Sequence, residues 1–194
     1  FGAASMPGIR FSGACTGLSL SPGSSCQLVV GSPAHKQAIL DSLLGQVKGC
    51  IVAADGGLIS NLPLLENITL PAEFHRVGSA ADRESRLREV TRHFGKDGAL
   101  LRALDFARPA SLIPWQKRLA GFVRAMLMEP ELIVFDSLFG GIGRAEASKL
   151  REFKRIFHLH FPFRQVVFVN YAEEPLLQGL VDQTVHLQEP AASV

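Results

Sequence analysis

Tyrosine and tryptophan occur once each, cysteine only three times, and no apolar run approaches the length of a membrane span. The last absence excludes a transmembrane helix, which needs about 18 or more uninterrupted apolar residues. Cys15, Cys26 and Cys50 form no CxxC pair and are odd in number, which argues against a disulfide scaffold or a cysteine metal site and suits a reducing compartment. An excess of one charge is missing too. Lys and Arg number 20 against 18 Asp and Glu, interspersed along the chain, so no basic footprint for nucleic acid exists. The start, Phe1-Gly2-Ala3-Ala4-Ser5, has no basic region followed by an apolar run, so the chain reads as soluble, cytoplasmic and unexported, its missing initial Met as processing or trimming. What is present is apolar. Hydrophobic residues make up 47% of the 194 and charged ones 20%, enough for one sizeable core, too little length for two domains, and incompatible with disorder over most of the chain.

Residues 1–27 are rich in Gly, Ser and Ala, and only Leu18-Ser19-Leu20 alternates like a weak edge strand before the turn Ser21-Pro22-Gly23. An apolar strand over residues 26–30 then gives way to Gly31-Ser32-Pro33 and helical spacing over 36–44. A second strand, 50–54, ends at Asp55-Gly56-Gly57, and the Pro- and Asn-bearing stretch that follows, to Pro71, reads as mostly loop. From Asp82 helical texture runs through Leu87, Val90 and Phe94 and on over 99–106. Beyond the breaks at Pro109 and Pro114 a helix over 115–128 carries Leu119, Phe122, Val123 and Met126 at one-face spacing. Leu132-Ile133-Val134-Phe135 is a fully apolar strand ending in Asp136. Next come a turn at Gly140-Gly141, a helix over 144–160 with Leu150, Phe153 and Phe157 as its buried stripe, and a strand over 165–169. A short helix over 176–180, a last strand over 183–187 and a loose tail from Pro190 complete the reading.

Strands apolar on both faces that alternate with helices specify an α/β protein with a mainly parallel, doubly covered sheet. Ligands of such sheets lie beyond the carboxyl ends of the strands, so residues 31–36, Asp136 and Asn170-Tyr171 are expected on one edge.

The segment Leu127-Met128-Glu129-Pro130-Glu131-Leu132-Ile133-Val134-Phe135-Asp136, preceded by Arg124-Ala125, resembles the end of the signature helix and the Walker B strand of ATP-binding-cassette (ABC) transporter ATPases. Gly17 to Gly23, the strand after it and Gly31…Lys36 resemble that family's entry hairpin and P-loop, and Leu65-Glu66-Asn67-Ile68 the segment after its Q-loop. Residues 64–74 and 118–139 are closest in texture to ATPases of the Mla and Mce lipid-transport type. The resemblance implies a P-loop NTPase (RecA-like) parallel sheet over the whole chain as a single domain, a helical subdomain near residues 75–128 and a short antiparallel edge near 9–30. Nucleotide contacts are then carried by Gly31, Lys36 and Asp136, with ATP and magnesium as the implied cofactors, weakly held.

Each motif departs from the family's pattern. A working P-loop reads GxxxxGK[ST], its glycines turning backbone N–H groups onto phosphate and its hydroxyl ligating magnesium. Here Gly31 precedes Lys36 by five positions instead of six, Pro33 has no N–H, His35 replaces the last glycine, and neither Gln37 nor Ala38 carries a hydroxyl. An alternative reading makes Lys36 a solvated helix-start lysine and Asp136 a strand-end acid or helix cap. Ser137 stands where a Glu would polarise water, and a serine hydroxyl is no general base near neutral pH. The signature loop falls on Leu112-Ile113-Pro114-Trp115-Gln116, where Ile113 lacks a hydroxyl, Pro114 lacks an amide donor and Trp115 is too bulky to approach a phosphate. The Q-loop glutamine falls near Ala54 or Asp55, the D-loop aspartate on Gly143 and the switch histidine on Tyr171; Phe11 is the candidate for an adenine-stacking aromatic and equally a packing residue.

Other constellations are thinner. His158 and His160 point to different helix faces and lack further ligands, so they read as partly exposed helix residues. Ser137 at a strand-to-helix turn has the place of a nucleophile elbow without the flanking glycines. Arginines over 83–92 alternate with Glu84 and Glu89 as a charge-paired face. The resemblance thus implies a degenerate ABC subunit, a pseudo-ATPase peripheral on the inner face of the membrane, docked on a permease and dimeric with itself or a competent ATPase. The rival readings are an active ATPase powering lipid transport and a stand-alone adaptor.

Overall fold

The computed structural model describes residues 8–189. Two dipeptide strands, β1 (Ile9–Arg10) and β2 (Ser19–Leu20), pair antiparallel at the start. β3 (Ser25–Val29) leads into α1 (Pro33–Leu44), where Pro33 fixes the first helical φ and Ser32 caps it. β4 (Gly49–Ala53) is followed by four helices: α2 (Leu64–Phe74), α3 (Ala80–Arg92), α4 (Gly95–Ala103) and α5 (Pro114–Leu127). α3 opens with a reciprocal capping box between Ser79 and Asp82. β5 (Leu132–Asp136), α6 (Arg144–His160), β6 (Gln165–Asn170) and β7 (Gln183–His186) finish the chain.

The five strands from β3 onward form one sheet in the order β4-β5-β6-β3-β7, every pairing parallel. Alternation along each strand divides the core in two. Ile133, Phe135, Val166 and Phe168 face the layer of α2, α5 and α6, while Leu132, Val134, Val167, Val169, Cys26 and Leu28 face α1 and the amino-terminal strand pair. The first layer is bound by an aromatic spine. Phe122 of α5 stacks on Phe153 of α6 at 4.3 Å, Trp115 stacks on the same ring, and Phe135 lies 4.9 Å from Phe168 across neighbouring strands. Burial pushes the Cys26 thiol up to about 12 and that of Cys50 to about 11, so neither is ionised near neutral pH.

Four expectations are corrected. The stretch to Pro71 is not mostly loop, for α2 occupies residues 64–74 with Leu64, Ile68 and Ala72 buried one turn apart. Pro71 sits so close to the helix end that only one intrahelical bond is lost, and buried Asn67 accepts from the Ile59 amide and donates to the Ile59, Leu62 and Pro63 carbonyls, tying down the preceding loop. The helices between β4 and β5 therefore begin at Leu64. The antiparallel edge is confined to β1 and β2, because β3 has parallel partners on both sides. The helical block over 82–106 is two helices broken at His93-Phe94, and the segment near 176–180 is a single 3-10 turn, Pro175–Leu177. The expected loose tail from Pro190 lies outside the described residues.

His158 is half-buried, its Nε2 2.9 Å from the Arg164 carbonyl, and His160 meets His93, the residue that ends α3, Nε2 to Nε2 at 3.1 Å. Burial lowers the pKa of all three rings; Arg155 and Arg92 add to this at His93, Arg86 at His160, and Glu89 opposes at both. A His whose pKa falls on folding binds its proton more tightly in the unfolded chain, so the stability it contributes is present above about 6.5 and lost as pH falls through the lowered folded values. Thermal unfolding should therefore drop between about pH 7 and pH 5, and His160→Gln, which removes one partner of the pair, should flatten that drop. In the core, Phe153→Ala should cost about 3–5 kcal/mol in denaturant unfolding, since the ring packs against Phe94, Trp115, Phe122 and Phe135.

Candidate functional site

Lys36 on the first turn of α1, Asp136 at the end of β5 and Tyr171 just past β6 meet at the carboxyl edge of the sheet, where the strand pattern placed them. Lys36 Nζ lies 3.0 Å from Asp136 Oδ1, an oxygen with no other partner among the described residues, and 5.0 Å above the Tyr171 ring. Side chains of the pair are 20% and 15% exposed, so the reading of Lys36 as a solvated lysine is set aside. Burial pulls the Lys36 pKa down, but Asp136 and Tyr171 outweigh it and hold the ammonium above its ordinary value. Both charges that would serve a metal-bound phosphate are spent on each other.

The loop before Lys36 is closed from within. His35 is buried, and its Nδ1 accepts the Gly31 N–H at 3.1 Å. Ser32 Oγ accepts the His35 N–H, Lys36 N–H bonds the Ser32 carbonyl, and Val30 N–H bonds Asn170. Ser32 and Ala34 are left as the loop residues whose amides have no partner among the described residues. With one residue fewer than a phosphate-wrapping loop, the chain enters a regular capped helix at Pro33 instead. Gln37 and Ala38 are exposed, and Gln37 bonds Asp41 one turn on, so nothing at these positions turns toward Asp136. The donor set does not fit a magnesium-bound triphosphate.

The remaining motif positions are structural. Ile113, half-exposed, caps α5 through its N–H to Gln116 Oε1, while Pro114 opens the helix. Trp115 is 3% exposed and belongs to the aromatic spine, so the signature position points into the core. Ala54 lies in the turn after β4, and Asp55 bonds its own turn at Gly57. That turn presses on α5: a Cβ at Gly121 would stand 2.8 Å from the Gly56 carbonyl oxygen, and Arg124 donates to the carbonyls of Gly56 and Gly57. Gly143 caps α6 and is exposed. Phe11 is 5% exposed in the second core layer and is a packing residue. Ser137 does adopt the left-handed turn of a nucleophile elbow, φ 50°, but its Oγ is buried with no partner among the described residues, leaving no base to activate it.

Two side chains went unnoticed in the sequence. Arg118, buried in α5, donates to the carbonyls of Leu138 and Gly140 and so fixes the loop after β5. Glu189 accepts from Ser32 Oγ across 157 positions of sequence, a separation at which no local pattern carries a signal.

No family model and no curated protein matches the sequence. Solved structures do match. An inward-facing metal-chelate type ABC transporter superposes with a TM-score of 0.69 at 18% identity, over 88% of this chain and 70% of that one. CbiO1 of Clostridium perfringens, part of the ABC transporter complex CbiONQ, gives 0.69 at 12%, over 89% and 77%. The fold is that of an ABC-transporter ATPase. Within this fold, Asp136 ends β5 and Lys36 lies in the first turn of the helix that follows β3.

Removing one partner of a largely buried pair strands the other charge. Lys36→Met should destabilise the protein by about 1–3 kcal/mol in urea unfolding, and the double variant Lys36→Met/Asp136→Leu should lose less than the two single variants summed.

Proposed function

We propose that this chain is an ABC-type ATP-binding subunit whose own site no longer hydrolyses ATP and which serves as a structural or regulatory partner of a membrane permease. The observation that carries the proposal is the closed front edge: Lys36 neutralised by Asp136, and His35 filling the loop. Loss of hydrolysis has a second, separate cause in Ser137, whose hydroxyl replaces a carboxylate base; such a loss costs about 10²- to 10⁴-fold in rate. In a dimer, whether with itself or with a competent ATPase, Ile113, Pro114 and the buried Trp115 would offer a neighbouring nucleotide no signature donors.

The permease-facing surface we assign is the groove between α2 and α3, about 240 Å³, lined by Leu65, Thr69, Glu73, Ala80, Arg83 and Leu87. Exposed Leu70 and Phe74 on α2 extend its apolar character. No helix among the described residues is long and apolar enough to cross a membrane, in keeping with a peripheral subunit on the cytoplasmic side.

Purified protein, alone and reconstituted with its permease, should show no ATP turnover above that of Lys36→Met. A nucleotide bound at 100 times its dissociation constant would add about 2.7 kcal/mol, raising the melting temperature by about 5–10 °C. Millimolar Mg-ATP should leave the melting temperature unmoved; turnover clearly above the Lys36→Met level would establish an active enzyme instead.

A further inference from the structure

We propose that residues 187–189 form an autoinhibitory strap, with the Glu189 carboxylate standing as an internal anion in front of the α1 amino terminus. The inference rests on the reading of that edge as a former nucleotide site. The strap is anchored at two points. Leu187 N–H donates to the Val29 carbonyl, prolonging the β7 pairing past the end of the sheet, and Ser32 Oγ donates to Glu189 Oε1 at 2.5 Å. Between them the carboxylate comes so close to the backbone that a Cβ at Gly31 would lie 3.0 Å from Glu189 Oε2. A side chain at residue 31 would displace the carboxylate by a few tenths of an ångström.

Ser32 couples the strap to the loop, since the hydroxyl that donates to Glu189 also accepts the His35 amide. The two loop amides left without partners among the described residues, those of Ser32 and Ala34, lie at this same end of α1. A phosphate oxyanion approaching them meets a fixed carboxylate of like charge, where the positive end of the helix would otherwise attract it. The carboxylate is exposed and held by one hydroxyl, so the strap is releasable: a competing donor for Glu189, or a pull on the segment beyond β7, uncovers the loop without unfolding the sheet.

The test compares wild type with Glu189→Ala and Glu189→Gln, substitutions at an exposed position outside either core layer. Two readouts are needed: binding of sodium pyrophosphate by calorimetry, and hydrogen exchange of the peptide spanning residues 31–34. Glu189→Ala is expected to bind pyrophosphate at least tenfold more tightly than wild type and to exchange the loop amides several-fold faster, with Glu189→Gln moving the same way. Equal binding and equal exchange in all three proteins overturns the strap, and faster exchange without tighter binding overturns its gating role. Failure of the underlying reading looks different, because it appears in the wild type itself as tight pyrophosphate binding or as ATP turnover.

Discussion

The front edge is governed by the register of three parallel strands. β6 pairs with β5 on one side and β3 on the other, setting Asp136 beside Val169 and Val29 beside Asn170, so the three strands end level. Neighbouring strands lie about 4.8 Å apart, which leaves Asp136 about 10 Å from the strand that launches α1. A lysine one turn into that helix spans the gap, with the aromatic residue that follows β6 beneath it. A slip of one residue between β5 and β6 would send Phe135 out of the aromatic spine and turn Asp136 away from Lys36, so core packing and the ion pair enforce the same register.

Charge and amide satisfaction at this edge are mutual. An open phosphate-binding loop directs several backbone N–H groups at a vacant position, and the cost of leaving them unpaired when buried is comparable to that of broken hydrogen bonds. Here a shortened loop, an imidazole acceptor at His35 and a doubly used hydroxyl at Ser32 consume most of them internally. Lys36 and Asp136 consume each other's charge, and the Tyr171 face completes the ammonium's surroundings. The satisfaction is incomplete: besides the Ser32 and Ala34 amides, the Ser137 hydroxyl, on a residue held in the left-handed region, is buried without a partner among the described residues.

The strands were legible because β5 and β6 are apolar on both faces and β3 is apolar but for Ser25 and Gln27, and the convergence of Lys36, Asp136 and Tyr171 followed from the way parallel sheets present their carboxyl ends. α2 was hidden by Pro63 and Pro71, which punctuate a helix whose buried face, Leu64, Ile68 and Ala72, keeps helical spacing. Trp115 shows how a motif frame can mask a periodic one. Aligned as part of a phosphate-contacting loop it looks obstructive, yet with Leu119 and Phe122 it continues one helical face, and that face is the core. Glu189 had no local signal at all, because its partner Ser32 is brought to it only by the pairing of β7 with β3.

On the proposed reading, binding and hydrolysis are weakened at this edge for separable reasons. The Lys36–Asp136 ion pair must be broken before either charge can serve a phosphate, which lowers apparent affinity by whatever the pair contributes over its separated, rehydrated partners. That penalty is reversible and could be offset by any partner that takes over one of the two charges. The chemical deficit is of another kind. Neither a hydroxyl at residues 37 and 38 nor a carboxylate at residue 137 can be recovered by rearranging the loop, since Gln37 and Ala38 face solvent and Ser137 is fixed by its amide to Val169. In the proposed subunit, rearrangement of the front edge would therefore restore contact with an anion without restoring turnover, and the physical division falls between a site that can be reopened and a reaction that cannot.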